Sequence, residues 1–498
     1  MSAPTAALHP CPFFINGEWN NRTGLPTSPV HNPSTGEVIA ESPLADATAV
    51  NDAVNAAKEA FPAWWETPSV ERARVMFKYR ALIEQELDSI CQTISLEHGK
   101  TLAESRGELQ RGLECVEYAC GIPELLKGEY LENIAPGIDC EVIRQPLGVC
   151  VGITPFNFPA MIAMWMFPLA ISSGNTFIFK PSEKVPLTAI RLVQLLEEAG
   201  LPKGVLNLVH GGKDCVDTRL THPDVKAVSF VGSTLVAKYI YETGTKHGKR
   251  VQSNGGAKNH VIIMPDADVK SSVDGIMGGA FGCAGERCMA IANAVCVGDA
   301  SKTVLPELAD AARNLKVGPT DRDPQPQMGA VITREHRDRV AGLVTEGADQ
   351  GGKLLSDGRN ASVPEAPNGF YLGATVIDEV EPKSTLAETE VFGPVLSVLR
   401  ASDLNEALDL ANASAFGNGT AIFTTSGSAA REFKHRVQAG MVGINVGVPA
   451  PMAMFPFSGW NESFFGDLHV QGRDGVRFYT REKTVTSRWF GEADVWRK

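Results

Sequence analysis

The sequence predicts an α/β fold built around a parallel, doubly wound sheet, and three observations predict it. Short apolar runs, GVCVGI at 148–153, TFIFK at 176–180, VLNLV at 205–209, AVSFV at 227–231 and VIIM at 261–264, are separated by helix-like stretches. Strands that alternate with helices run parallel, because a crossover helix is what returns the chain to the same end of a sheet. The chain has 498 residues, more than one ordinary core holds, so two or three domains are expected. Hydrophobic residues make up 43% and charged residues 21%, the proportions of a globular enzyme, with no low-complexity tract.

Taken in order, residues 44–62 are Ala-rich with helical spacing. A helix is predicted over 69–95, with Val70, Val75, Met76, Leu82 and Ile83 forming a buried stripe. Another follows from Leu102 to Cys120. Residues 124–146 are mixed, with a Pro-Gly turn at 136–137, and read as an arm or hairpin outside the main sheet. The strand–helix rhythm starts at 148, and Pro186 to Glu198 is a helix with proline at its start, closed by Gly200. VIIM opens a second α/β unit. The expected division is one unit over 1–123 and 147–254, a second over 255–460, and a third element from 124–146 and 461–498.

Net charge is −12 with no basic run, which argues against nucleic acid as a partner. The ten cysteines include no CxxC pair and no His-rich cluster accompanies them, so no metal site is expected. The start, MSAPTAALHPCPFF, has neither the basic-then-apolar pattern of a secretory signal nor an Arg-rich amphipathic pattern. The most apolar stretch, 158–171, is interrupted by Pro159 and Pro168 and is too short to span a bilayer. A cytoplasmic location with reduced thiols, away from membranes, is the expectation.

Five short motifs carry chemistry. FGCAGERCMA (281–290) brings two glycines up to Cys288, and a cysteine nucleophile is favoured by a neighbouring cation such as Arg287. ITPFNFP (153–159) ends a predicted strand and supplies Asn157, whose amide suits donation to an oxyanion. FKPSE (179–183) ends another strand. Its Lys180 suits a ribose or phosphate, and its Glu183 suits ribose hydroxyls. FVGST (230–234) opens a helix after a strand, and Gly232 permits close backbone approach to a phosphate. EVFGPV (390–395) joins an acid, an aromatic and a Gly-Pro turn. Each alone has an ordinary reading: a small buried cysteine, a turn asparagine, strand-to-helix turns, a loop.

In this order and over this span, the five motifs resemble the aldehyde dehydrogenase superfamily, and FINGEW (14–19) and PFSG (456–459) agree with it. The resemblance implies an aldehyde dehydrogenase-like fold, with a Rossmann-like cofactor domain over 1–123 and 147–254, a catalytic domain over 255–460 and a bridging, oligomerisation element from 124–146 and 461–498, and NAD as cofactor. It implies that Cys288 is the nucleophile, and that Asn157 with the backbone N–H of Cys288 forms the oxyanion hole. It makes Lys180 and Glu183 ligands of the adenosine ribose, beside Lys184. Ser233, with Gly232, becomes a pyrophosphate contact, and Glu390 the ligand of the nicotinamide ribose with Phe392 beside it. Thr154, Phe156 and Gly255 line the cofactor path. Members form dimers or tetramers, and a homotetramer is expected.

One stretch departs from the general pattern. Hydrolytic members carry a water-activating glutamate shortly before a Gly-Gly pair, whereas VQSNGGAKNH (251–260), aligned on Gly255 and Gly256, puts Ser253 there. Serine has no useful basicity near neutral pH, so a thioester on Cys288 should persist until a thiol such as coenzyme A takes it. GAKNH and GERCMA resemble the CoA-acylating subgroup that acts on methylmalonate and malonate semialdehydes, yielding propionyl-CoA or acetyl-CoA with loss of CO2. Such substrates need a cationic clamp, for which Arg287 and, by resemblance, Arg111 are the candidates. A hydrolytic semialdehyde dehydrogenase using another base is the alternative, and an exposed helix position is the ordinary reading of Arg111.

Overall fold

The computed structural model describes residues 8–322 and 324–490. Strands β1 (Val149–Ile153), β2 (Thr176–Lys180), β3 (Leu206–Leu208), β4 (Val225–Val231) and β5 (Arg250–Asn254) form the parallel centre of an eight-stranded sheet. Their order is β3-β2-β1-β4-β5, so the chain winds one way from β1 and then the other way from β4. Such a reversal opens a crevice at the carboxyl ends of the two strands where the winding changes. Phe13–Ile15 lies antiparallel on β3 with Glu18–Asn20 outside it, and Phe464–Phe465 lies antiparallel on β5.

β1 and β2 are buried at every position, as strands covered on both faces should be. On one face Cys150, Phe177, Phe179 and Val231 pack with Met76, Leu113 and Phe167. On the other, Val151, Ile178, Val228 and Phe230 pack with Val50, Ala53 and Ile240. The chain leaves this sheet at Asn254 and enters a second, seven-stranded sheet through β6 (Asn259–Ile263) and β7 (Ile291–Val297). β7 and β6 lie at its centre, flanked by parallel strands Val395–Ala401 and Gly419–Phe423.

Four helices matter for the site: α1 (Leu102–Cys120), α2 (Met161–Ser172), α3 (Thr234–Lys246) and α4 (Val269–Phe281). α1 starts with a reciprocal capping box between Thr101 and Glu104. α2 is buried from Ile162 to Ser172, which its nearly unbroken apolar sequence requires.

Two expectations are corrected. The helix over 69–95 is two helices, Ser69–Gln85 and Leu87–His98. The break is at Glu86, whose carboxylate accepts from Arg191 at 2.6 and 2.9 Å and so anchors the bend to helix Pro186–Glu198. Val70 is 50% exposed, because it lies in the first turn, whereas Met76 and Ile83 are fully buried. Residues 124–146 do form a hairpin, Glu129–Ala135 with Ile138–Pro146, extended by Thr480–Arg488. The preceding part of the tail does not join it. Phe464–Phe465 covers the edge of β5, and helix Gly472–Phe478 buries Val476 and Phe478 in the core against α2.

Candidate active site

Two cavities meet at Cys288, of about 410 Å³ and about 770 Å³. Among the described residues, Cys288 is the one that lines both. The smaller is walled by Phe158, Met161, Trp165 and Phe457, with Glu104, Glu108, Arg111, Glu114, Arg287 and Gln471 as its polar positions. The larger lies at the carboxyl ends of β1, β2 and β4 and is lined by Thr154, Phe156, Asn157, Lys180, Glu183, Lys184, Gly232, Ser233, Gly255, Glu390 and Phe392. The structure therefore brings all the sequence-derived cofactor candidates to one cleft.

The loop that carries Cys288 leaves the end of α4 through three consecutive left-handed residues, Cys283 (φ 51°), Ala284 (φ 51°) and Gly285 (φ 72°). Only glycine fits at 285, since a Cβ there would strike the carbonyl of Gly393. Non-glycine residues in this region persist only where surroundings hold them. Glu104 does so: one carboxylate oxygen accepts from Cys283 N at 2.5 Å and lies 3.7 Å from Arg287 Nη2. Its other oxygen closes the capping box on Thr101. Beyond the loop, the carbonyl of Cys288 accepts from Asn259 Nδ2 at 2.8 Å and Asn418 Nδ2 at 2.9 Å. The thiol is thus presented on a backbone fixed from both sides. Asn157, buried at the end of β1, donates from Nδ2 to Glu286 O at 3.1 Å, which sets its amide beside this loop.

Arg287 lowers the Cys288 thiol, as a neighbouring cation should, and so do the backbone N–H groups of residues 288 and 289, but burial, followed by the Glu390 carboxylate, outweighs them and pushes the thiol up to about 12. Burial also raises Glu390 to about 7, although Ala257 N donates to it at 2.8 Å, and lowers Lys258 to about 7. Glu286 is raised by burial to about 8. In the larger cavity Lys180 Nζ pairs with Glu183 at 3.1 Å, Lys184 lies over the Phe156 ring, and Phe156 meets Phe392 edge-on at 5.8 Å. Ser233 is the N-cap of α3 but makes no side-chain cap bond, so the helix's first N–H groups keep their capacity for an anion. A Cβ on Gly256 would meet the Glu390 carboxylate, so glycine lets that carboxylate lie close against the chain where it passes between sheets.

The two arginines differ. Arg287 Nη1 donates to Gly278 O at 3.1 Å, while its buried Nε has no acceptor among the described residues. Arg111 is more fully engaged: Nη1 with Glu114 at 3.0 Å, Nη2 with the carbonyls of Ala450 and Pro451, each at 3.0 Å. It is neither buried nor freely exposed, and it pins the 450–452 loop at the cavity wall.

Ser253 is also corrected. It lines neither cavity, and its hydroxyl donates to Ala237 O of α3 at 2.8 Å. Side chains alternate along a strand, so Asn254 faces the other side. Its register partner Val231 belongs to the core that holds Cys283 and Met289 and packs against Cys288. The residue facing the nucleophile's side is therefore an amide, and again not a carboxylate.

Sequence reasoning missed Glu104, Glu108 and Gln471. Gln471 is 4% exposed, lines the smaller cavity, has φ 69° and keeps a buried Oε1 without a partner among the described residues. No sequence signal announces it. Glu104 carried a faint one, the capping-box spacing Thr101–Glu104, whereas Glu108 carried none. Among the described residues no group of His, Cys, Asp and Glu is arranged to hold a metal, and no helix is long and apolar enough to cross a membrane.

Comparison with known proteins adds three findings. Residues 19–485 match the profile of the aldehyde dehydrogenase family. The chain is 52% identical over 477 residues to a malonate-semialdehyde dehydrogenase of Pseudomonas aeruginosa, covering 96% of each chain, and 49% identical to one of Halalkalibacterium halodurans, covering 96% of this chain and 98% of that one. Among solved structures it resembles a methylmalonate-semialdehyde dehydrogenase of Oceanimonas doudoroffii, with TM-score 0.95 and 50% identity, covering 97% of this chain and 99% of that one. It also resembles a Sinorhizobium meliloti protein described as a methylmalonate-semialdehyde dehydrogenase and solved with NAD, with TM-score 0.96 and 46% identity, covering 98% and 100%.

Proposed function

The chain belongs to the aldehyde dehydrogenase family, and from that premise we propose that it is an NAD-dependent, CoA-acylating dehydrogenase of malonate and methylmalonate semialdehyde. The observation that carries the reading is the position of Cys288 as the one residue shared by two cavities, one suited to a nucleotide and one to a small anion. The dinucleotide fits the larger cavity. Gly232, Ser233 and the start of α3 take the pyrophosphate, and Lys180 with Glu183 takes the adenosine ribose, whose 2′-hydroxyl the carboxylate accepts from. Glu390 takes the nicotinamide ribose, with Phe392 beside it, and Thr154, Phe156, Lys184 and Gly255 line the path. Bound NAD supplies a hydride acceptor next to the sulfur.

The remaining work falls to side chains. Cys288 Sγ, once deprotonated, attacks the aldehyde carbon and forms a thiohemiacetal. Asn157 Nδ2 and the backbone N–H of Cys288 donate to the oxygen as it becomes anionic. Loss of hydride leaves a thioester on Sγ, which is then decarboxylated and transferred to the thiol of coenzyme A. Arg287 holds the substrate carboxylate, with Arg111 at the wall. Its place in the lining of the smaller cavity, beside Cys288 in the chain, supports Arg287 as the main partner. With Ser253 turned away and an amide at 254, no carboxylate on β5 activates water, which favours thiolysis over hydrolysis. The family relation and the exposed Leu131 and Ile134 on the hairpin support a homotetramer.

The test is rapid mixing of enzyme, NAD and semialdehyde without coenzyme A. A burst of about one NADH per active site followed by a slow phase is expected. Adding coenzyme A should accelerate the slow phase and yield acyl-CoA, and Cys288→Ala should abolish both phases. Fast steady turnover to a free acid without coenzyme A would establish the hydrolytic alternative instead.

A further inference from the structure

We propose that Lys100 and Glu108 form a buried positioning pair that fixes the Asn157 amide in line with the reacting oxygen. The inference rests on the reading of Asn157 as the oxyanion donor. Gly99 ends helix Leu87–His98 in the left-handed region (φ 90°), and Thr101 caps α1, so Lys100 has no freedom to swing outward. It is 1% exposed. A buried ammonium must spend its donors on acceptors. Lys100 Nζ donates to Glu108 Oε2 at 2.7 Å and to the backbone carbonyl of Asn157 at 2.6 Å, and lies 4.1 Å from the centre of the Phe158 ring. Glu108 is 3% exposed, and its second oxygen accepts from Ala160 N at 2.8 Å and Met161 N at 3.1 Å.

Those two amides begin α2, which has no side-chain cap of its own, so Glu108 caps it from another helix. The pair therefore grips the 154–160 loop at two points, the carbonyl of Asn157 itself and the start of the following helix. Only the side chain of Asn157 is left to set, and its Nδ2 is already 3.1 Å from Glu286 O in the nucleophile loop. As a device for stability alone a buried ion pair is inefficient, because packed apolar residues serve as well. As a way to hold one carbonyl within tenths of an ångström, a short bond from an ammonium that is itself anchored by a buried carboxylate is well suited.

The experiment is a double-mutant cycle read by the pre-steady-state NADH burst. Asn157→Ala alone should slow the burst by about 10²-fold, the usual loss for one oxyanion donor. Lys100→Met should slow it by about 10- to 100-fold, with the half-saturating semialdehyde and NAD concentrations unchanged. In the Asn157→Ala background Lys100→Met should cost less than about threefold, since a residue acting through Asn157 has nothing left to position. Lys100→Met leaves the Glu108 carboxylate buried without its cation, so the cycle is repeated with Lys100→Met/Glu108→Gln, which removes both charges and keeps an acceptor for α2. Losses that multiply across the cycle, or a burst within threefold of the parent in that double variant, would overturn the positioning role. An Asn157→Ala enzyme with a nearly unchanged burst would overturn the oxyanion reading itself, and the positioning role with it.

Discussion

Cys288 is held as a thiol, and the cause can be separated residue by residue. Burial is the first contributor and the Glu390 carboxylate the second. Glu390→Gln keeps an acceptor for Ala257 N but removes the charge, so the thiol should deprotonate at lower pH. Alkylation of Cys288 by iodoacetamide at pH 9, without nucleotide, should then be several-fold faster than in the parent. An unchanged rate would mean the sulfur does not feel that carboxylate. Glu286 gives a second test. Its carboxyl loses its proton near 4.5 when unfolded but near 8 when folded, because it is buried. Between those values the folded state holds the extra proton. Stability present below pH 4.5 is therefore lost as pH rises to about 8, at up to about 1.4 kcal/mol per pH unit. Glu286→Gln cannot ionise, and its Oε1 can still accept from Ile332 N. Urea midpoints of parent and variant should be close at pH 4.5 and diverge in favour of the variant at pH 8.5. At this scale the sequence was legible where a motif fixed the position: the order of motifs along the chain singled out Cys288, Asn157 and the cofactor candidates, which the structure brings to one cleft. Lys100 and Glu108 were not, because charged residues at helical spacing ordinarily mark a solvated face. Ser253 was misjudged because a slip of one residue on a strand changes the face entirely.

α1 organises the site as an element. Glu104, Glu108 and Arg111 lie on one face of it, three and four residues apart, and each holds a different loop: 283–287, 157–161 and 450–452. Its capping box fixes the end nearest the nucleophile loop. Thr101→Ala should cost about 1 kcal/mol, a normal N-cap loss, with little effect on catalysis. Glu104→Ala removes the cap's return bond and also frees Cys283 N and Arg287. It should cost more stability and slow the NADH burst at least tenfold. Thermal unfolding and burst rates measured together check both, and equal effects of the two variants would mean the carboxylate serves only the cap. Helix α1 itself was readable to the residue, since its cap signals stand in the sequence. The break at Glu86 was not, because no glycine or proline marks it and its partner Arg191 is distant in the chain.

The parallel, doubly wound character of the first sheet followed from strand–helix alternation, but three features of the whole molecule did not. The pairing of Thr480–Arg488 with the hairpin, the Phe464–Phe465 edge strand and the lateral order of the second sheet depend on contacts between distant segments that no local pattern encodes. The hairpin exposes Tyr130, Leu131 and Ile134 at 63%, 57% and 56%, a cluster that water disfavours. Leu131→Lys/Ile134→Lys should shift the sedimentation coefficient towards smaller species, and an unchanged value would locate subunit contact elsewhere. The meeting of the two cavities at one residue has a consequence for chemical probes. A chloroketone shaped like the semialdehyde and a nucleotide analogue bearing a haloacetyl group would enter through chambers that share no wall except Cys288. Each should nevertheless label the same sulfur, and prior labelling by one should block the other completely. Selective inhibitors for this site can thus be drawn from two unrelated chemical series, with a single adduct mass reporting on both.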